Sequence, residues 1–173
     1  MKKLVLLMIV AGAAVTGLYI AYVLTRPEKI IGLGEQIRHD DFFYSVVDVK
    51  KQKSIGEGEN LVASRGIFYI VTLKVENRAI RVDHEWDILM TCVEDESGHK
   101  YRPFAKGQEA WDEIQGVKKA ARHDTPHGAS EMADIVFDLP ADVKNPGLKI
   151  WKDVLMGDMF DGVAYRKAKV SLD

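Results

Sequence analysis

The sequence predicts an all-β domain, a two-sheet β-sandwich of about seven strands with one inserted helix, preceded by a single N-terminal transmembrane helix. An uncharged run from Leu4 to Leu24 opens the chain. Short apolar runs of period two, separated by turn residues, fill most of the remainder. Because 173 residues fit one domain plus an appendage, we expect a transmembrane anchor and linker at residues 1–29 and the sandwich at residues 30–173.

The N-terminal run predicts an uncleaved signal anchor. A helix of this length spans the ~30 Å hydrocarbon core of a bilayer. The alternative is a cleaved signal peptide, for which Ala11-Gly12-Ala13 offers small residues at a cleavage site. Signal peptides, however, turn polar after about 7–15 apolar residues, whereas this run continues well past Ala13.

The anchor also predicts an orientation and a packing face. Lys2 and Lys3 before the run are balanced by Arg26 and Lys29 after it, so the charges give nearly a tie. A minimal N-terminal tail before a first hydrophobic segment usually stays inside, so we expect the domain on the periplasmic or extracellular side of the cytoplasmic (inner) membrane. Small residues on one helical stripe allow a second helix to approach closely. The stripe consists of Ala13, Gly17 and Ala21.

The strands follow from alternation. The clearest is GIFYIVTLKVEN, and EMADIVFDLP alternates in the same way before Pro140 ends it. WDILMTCVED reads as one strand that leads through Glu96-Ser97-Gly98-His99 into a hairpin. Further strands are predicted around Gln36–Ile37, in FFYSVVDVKK, in LKIW and in VAYRKAKVSL. The residues expected to face inward are Ile67, Tyr69, Val71, Leu73, Val75, Trp86, Ile88, Met90, Cys92, Ala133, Ile135, Phe137 and Leu139.

One stretch, between Gly107 and His123, predicts a helix. Its apolar residues are spaced at i, i+4, i+7 and i+11, with acidic residues at its start and basic residues at its end, as the helix dipole favours. The predicted buried stripe consists of Ala110, Ile114, Val117 and Ala121. Trp111 falls outside that stripe, so it is a candidate contact residue for a partner.

Three segments resemble a known family: IFYIVTLKVEN, the hairpin EDESGHKYRPF and PHGASEMADIVFDLP. They resemble a bacterial family of exported immunoglobulin-like domains of unknown function, akin to the mycobacterial immunoprotective extracellular antigen. The resemblance covers about residues 33–172. It implies an immunoglobulin-like β-sandwich, often tethered to the membrane, and it implies no catalytic residues.

Composition and motifs limit the chemistry. The 24 basic and 26 acidic residues exclude a basic nucleic-acid-binding surface, and the single cysteine excludes a disulfide framework. Cys92 alternates with apolar residues and is expected to be a buried, unreactive thiol. His123, Asp124 and His127 are the only metal candidates that we single out, and a solvated turn is the alternative interpretation. We expect no cofactor and no small-molecule substrate.

The segment VLMGDMFDG carries apolar residues between two predicted strands. They either fill the edge of the core or contact a partner, since methionine adapts to binding surfaces. Met156, Met159 and Phe160 are the candidates.

The function expected from these features is that of a membrane-anchored, non-enzymatic extracytoplasmic interaction domain. It would be an accessory or stabilising subunit of a larger complex, with integral membrane proteins as partners. The alternatives are a stand-alone ligand- or metal-binding module of the cell envelope and, less favoured, an envelope enzyme.

Overall fold

The structure is a computed structural model and describes residues 2–25, 27–116, 122–150 and 168–173, with side chains of residues 2–9, 23 and 24 left out of the description. Helix α1 (Lys2–Thr25) is followed by strands β1 (Lys29–Ile31), β2 (Ile37–His39), β3 (Phe42–Ile55) and β4 (Val62–Asn77). The next elements are β5 (His84–Asp87), β6 (Thr91–Glu94), β7 (Lys100–Tyr101) and helix α2 (Ala105–Ile114). Strands β8 (Arg122–Thr125), β9 (Ser130–Leu139), β10 (Gly147–Ile150) and β11 (Ala168–Ser171) complete the order.

Among the helices whose side chains are described, none is both long and apolar enough to cross a membrane.

The described strands form two facing sheets and one short pair. One sheet has the order β1-β11-β10-β6-β7, the second has the order β2-β3-β4-β9, and β5 pairs with β8. The predicted β-sandwich is therefore present. The described residues contain more strands than the seven or so that the sequence predicts. The additional strands, such as β1 and β8, were missed because they are too short to show a period-two pattern.

The core between the sheets has the residues that alternation predicts on β4 and β9. Val71, Leu73, Ile135 and Phe137 are at most 1 % exposed. They belong to one buried cluster with Val93, Leu148 and Val170 of the facing sheet. The strand assignments with the longest alternating runs are thus confirmed.

The predicted single strand from Trp86 to Cys92 is wrong. A 3-10 turn at Ile88–Met90, capped by the Asp87 carboxylate accepting from the Leu89 amide, separates β5 from β6. Because the turn changes the side-chain phase, Val93 joins the core between the sheets, and Cys92, although fully buried, is outside that cluster. Met90 is only partly buried against the cluster.

The predicted helix between Gly107 and His123 is shorter than expected and turned differently. The helix ends at Ile114. Two residues later, Gly116 takes a φ of 66°, a left-handed conformation that suits glycine after a helix. His123 lies in strand β8 instead. The predicted stripe residues Val117 and Ala121 lie outside the described residues.

The buried face of α2 is also different from the predicted one. Trp111 is 8 % exposed, whereas Ile114 is 53 % exposed. Trp111 packs with Phe68 and Ile70, on the face of β4 that points away from the core between the sheets. Helix α2 therefore covers the outer face of the second sheet and adds a third layer there.

The strand directions define two ends of the sandwich. Strand β4 ends at the upper end, which we define by the hairpin Asp40–Asp41, the loop Arg78–Asp83 and the turn at residues 126–129. Strand β9 is antiparallel to β4, so it finishes at the opposite end of the sandwich, which we call the lower end. Pro103, just after β7, forms a β-bridge with Phe137 near the finish of β9, so the hairpin between β6 and β7 lies at the lower end too. Strand β1 is parallel to β11, and β11 and β6 are both antiparallel to β10. Strand β1 therefore runs away from the upper end, as β6 does.

Candidate interaction surface

The upper end of the sandwich is organised by one buried amide, that of Asn77, the last residue of β4. Its side chain is 1 % exposed. Its Nδ2 donates to the carbonyl oxygens of Val82 at 2.8 Å and Thr125 at 2.9 Å, and its Oδ1 accepts from the Ala79 amide at 2.9 Å. Since a buried amide must satisfy its donors and acceptor, this residue holds the loop Arg78–Asp83 against the end of β8.

That loop presents apolar side chains to solvent. Ile80 is 85 % exposed and Val82 is 60 % exposed, while Ala79 between the strand and the tip is buried. The Arg78 amide donates to the Asp41 carbonyl at 2.9 Å. Single exposed aliphatic residues are common on protein surfaces. Here two of them share the tip of a loop whose backbone is held by several hydrogen bonds.

The charged side chains beside the tip differ in how they are held. The guanidinium of Arg78 contacts the Glu76 carboxylate at 2.7 Å and lies 3.8 Å from the centre of the Phe43 ring. The Asp83 carboxylate accepts from the amide of His127, and this hydrogen bond lowers the pKa of Asp83. Arg81 is exposed at the tip itself.

A histidine and a tyrosine support the loop from below. His84 stacks on the Phe42 ring at 3.8 Å, and its Nε2 lies 2.6 Å from the Tyr44 hydroxyl. Burial lowers the pKa of His84 and raises the pKa of Tyr44. Both groups are therefore favoured in their neutral forms, which share this hydrogen bond.

A second histidine is enclosed in the core. His123 is 7 % exposed, and its ring stacks on Trp86 at 4.2 Å. Its Nδ1 lies 2.6 Å from a Glu131 oxygen. The other Glu131 oxygen accepts from Thr125 at 3.2 Å, and Trp86 donates to the same threonine. The polar atoms of this group bond to one another, which is how a buried polar group offsets its lost hydration.

The predicted metal candidates do not converge. On β8 the side chain of His123 is buried and that of Asp124 is exposed, as alternation requires. The Nδ1 of His127 is 3.0 Å from the Asp83 carboxylate in the exposed turn. Across the described part of the chain, no group of three or more His, Cys, Asp or Glu side chains is arranged to hold a metal ion.

The predicted partner contacts have different positions. Trp111 is not an exposed contact residue, since it is buried and donates through Nε1 to Asp134 at 2.9 Å. Met156, Met159 and Phe160 lie outside the described residues. The stripe of Ala13, Gly17 and Ala21 lies on α1, where a Cβ added to Gly17 would meet no atom within 4 Å.

The comparison with solved structures finds a class of proteins, bacterial β-sandwiches. No protein-family model matches this chain, and no curated protein matches it significantly. One similar structure is the yjhA protein from Bacillus subtilis, with a TM-score of 0.57, 15 % identity, and coverage of 82 % of this chain and 98 % of that one.

Two further structures belong to the same class. A conserved hypothetical protein from Bacillus anthracis has a TM-score of 0.53 at 11 % identity, covering 69 % of this chain and 87 % of that one. The secreted protein MPT63 from Mycobacterium tuberculosis has a TM-score of 0.52 at 14 % identity, covering 85 % of this chain and 99 % of that one. At such identities the similarity supports the expected immunoglobulin-like β-sandwich and no particular family or activity.

Proposed function

We propose that this protein is a membrane-anchored, non-enzymatic interaction domain, an accessory subunit of a larger assembly in the cytoplasmic membrane. The observation that carries the proposal is the uncharged run Leu4–Leu24 within the 24-residue helix α1. Val10, Val15 and Ile20 are five residues apart and therefore point to three sides of the helix, at about 100° per residue. They are 60 %, 67 % and 43 % exposed. A helix that is apolar all round needs an apolar environment.

The sandwich would then stand on the extracytoplasmic side, close to the bilayer. Strand β1 starts at Lys29, four residues after the helix ends at Thr25. Four residues of extended chain reach at most about 14 Å. So short a connection keeps the domain within contact distance of other membrane proteins and leaves it little freedom to sample the bulk solvent.

Two surfaces are proposed for the partner. The first is the small-residue stripe of α1, because lipid gives helices no hydrophobic reason to associate and close backbone approach must supply the attraction. The second is the segment with Met156, Met159 and Phe160. Ala168, the first described residue after that segment, pairs with Lys29 in the parallel pair of β1 and β11.

The test is co-purification of the full chain from membranes in mild detergent. We expect a stoichiometric membrane-protein partner. Gly17→Leu and Ala13→Leu add bulk at the stripe, and overpacking costs about 1–3 kcal/mol. That range corresponds to a loss of affinity for the partner helix of about fivefold to 150-fold, so we expect a clear loss of partner recovery. Membrane targeting and sandwich folding should not change.

Val15→Leu is the control outside the stripe: it places the same leucine side chain on another side of the helix and adds one methylene. If stripe and control variants recover the partner equally well, the stripe is a matter of composition and the sandwich alone holds the partner. If only the monomer is recovered from every variant, the proposed accessory role is wrong.

A further inference from the structure

The loop Arg78–Asp83 presents its apolar tip in a fixed conformation. Asn77 bonds to backbone groups of both Ala79 and Val82, and the Arg78 amide bonds to Asp41. Ile80, at the tip, is 85 % exposed. Because the loop backbone is already ordered, burying this side chain elsewhere costs little additional conformational entropy.

The position of the loop relates it to the helix α1. Strand β1 runs away from the upper end, so the chain arriving from Thr25 approaches Lys29 from the side of that end. The connection from Thr25 to Lys29 spans at most about 14 Å. In a chain anchored by α1, the loop therefore lies on the side of the sandwich that faces the bilayer.

We propose that the loop Arg78–Asp83 docks onto the membrane surface and inserts Ile80 and Val82 into the headgroup–acyl boundary. This inference rests on the anchoring role proposed for α1 and adds a second contact between the protein and the lipid. The surface that the loop contacts is the bilayer that holds α1, because the connection from α1 to the sandwich is short and the loop lies on the side facing that bilayer. An exposed aliphatic tip on a protein domain gains by leaving water for that boundary.

The charges of the loop itself are compatible with lipid headgroups. Arg81 lies between the two apolar residues, and a long arginine side chain can reach phosphate oxygens while its methylene groups stay in the apolar layer. The loop's own carboxylate, that of Asp83, is turned to His127, whose amide and ring Nδ1 both contact it. A weak contact suffices, since tethering by α1 already gives the loop a high effective concentration at the surface.

The test uses the full chain reconstituted into vesicles of phosphatidylcholine mixed with phosphatidylglycerol. Ile80→Cys carries an environment-sensitive NBD fluorophore, and Leu61→Cys is the matched control. Leu61 is also an exposed aliphatic residue, at 53 %, but it lies just before β4, at the lower end. The native Cys92 is fully buried and does not compete for the label under folding conditions.

We expect the emission at position 80 to shift to the blue and rise by at least about twofold on reconstitution, because the fluorophore leaves water. Nitroxide-labelled lipids should quench position 80 and leave position 61 unquenched. A second variant carries both substitutions in one chain: Val82→Cys, which holds the label, and Ile80→Asp. The carboxylate at the tip should abolish the shift without unfolding the domain, since Ile80 makes little contact with the core.

The inference is overturned if positions 80 and 61 give the same emission and the same quenching in protein that floats with the vesicles. That outcome leaves the anchor in place. Failure of the chain to float with vesicles overturns the anchor and the loop contact together. Insertion that appears only after a partner protein is added also overturns the lipid contact and assigns the tip to the partner.

Discussion

His84 lies half-buried at the start of β5, with its ring against Phe42 and its Nε2 facing the Tyr44 hydroxyl. When the imidazole is protonated, both of its nitrogens are donors, and Nε2 then donates to the Tyr44 oxygen. Acid therefore keeps this hydrogen bond but places a positive charge in a half-buried site directly below the loop Arg78–Asp83, and burial disfavours that charge.

The free energy of unfolding should fall as the pH drops below about 6.5, the ordinary pKa of histidine. Burial lowers the pKa of His84 in the folded state. The unfolded chain consequently binds a proton at a pH where the folded chain does not, so the stabilisation that neutral His84 provides is lost as the pH falls toward the folded-state pKa. Denaturant unfolding of the full chain in detergent, repeated between neutral and mildly acidic pH, measures the slope.

His84→Gln should flatten this slope, because glutamine can still accept from Tyr44 but does not titrate. His99→Gln, in the hairpin after β6, is the control for removing a histidine elsewhere in the domain. An unchanged slope in His84→Gln would assign the acid sensitivity to other groups.

The sequence indicates which side chains could bind a metal ion, but it does not show what surrounds each of them in the fold. The sequence shows that His123 and His127 are four residues apart, and this spacing suits a metal site. Only the pairing of β8 with β5 shows that His123 turns inward against Trp86 and Glu131. The loop tip at Ile80 was not predicted, because the exposure of an aliphatic residue just after a strand depends on what packs around it, and no local pattern contains that.

At the scale of elements, α2 shows how an added layer changes the burial of a strand. Strand β4 buries Phe68 and Ile70 as well as the core residues on its other face. Helix α2 covers that outer face, with Gly107 so close to Phe104 and Val136 that an added Cβ would come within 2.9 Å of each. The large apolar residues on both faces of β4 were visible in the sequence, but the element that covers the outer face was not.

Trp111→Ala should destabilise the domain by about 3 kcal/mol or more, because truncating a buried tryptophan removes its transfer free energy and leaves a cavity. It also leaves the Asp134 carboxylate without the indole N–H. Ile114→Ala, on the same helix, should cost less than about 1 kcal/mol, as expected for a mostly exposed side chain. Denaturant unfolding of the full-length variants gives both values.

The two substitutions separate the two possible faces of α2. A larger cost for Ile114→Ala than for Trp111→Ala would restore the stripe predicted from the sequence and contradict the observed packing. The helix was predicted because its spacing is amphipathic, and its rotation was not, since Trp111 and Ile114 are both apolar and lie near the edges of the same face.

At the scale of the whole molecule, alternation predicted the long strands and the sandwich, while the path between the sheets depends on contacts distant in sequence. Lys29 on β1, for example, pairs with Ala168 on β11, near the other end of the sequence. Long-range pairs of this kind decide which strands share a sheet, and no local pattern contains them.

The topology of the proposed anchor gives a prediction for the intact cell. A phosphatase-type reporter fused after Asp173 should be active, because it is exported, and a reporter that requires the cytoplasm should be inactive. Mass spectrometry of the membrane-extracted chain should retain residues 1–24. The reverse reporter pattern would place the domain inside the cell, and a mature N-terminus at Ala14 would establish a cleaved signal peptide instead.

The first strand of the sandwich also has a mechanical consequence. Glu28 and Glu94 both contact the ammonium group of Lys149, at 2.9 Å and 2.7 Å, directly beside the point where β1 joins the sheet. If α1 anchors the chain, any pull from the membrane enters along the axis of β1. The hydrogen bonds between β1 and β11 run across that axis, so they are loaded together in shear instead of being opened one after another. Force on the anchor would then reach the whole sheet through this edge, and the domain could resist tension between the membrane and whatever it holds.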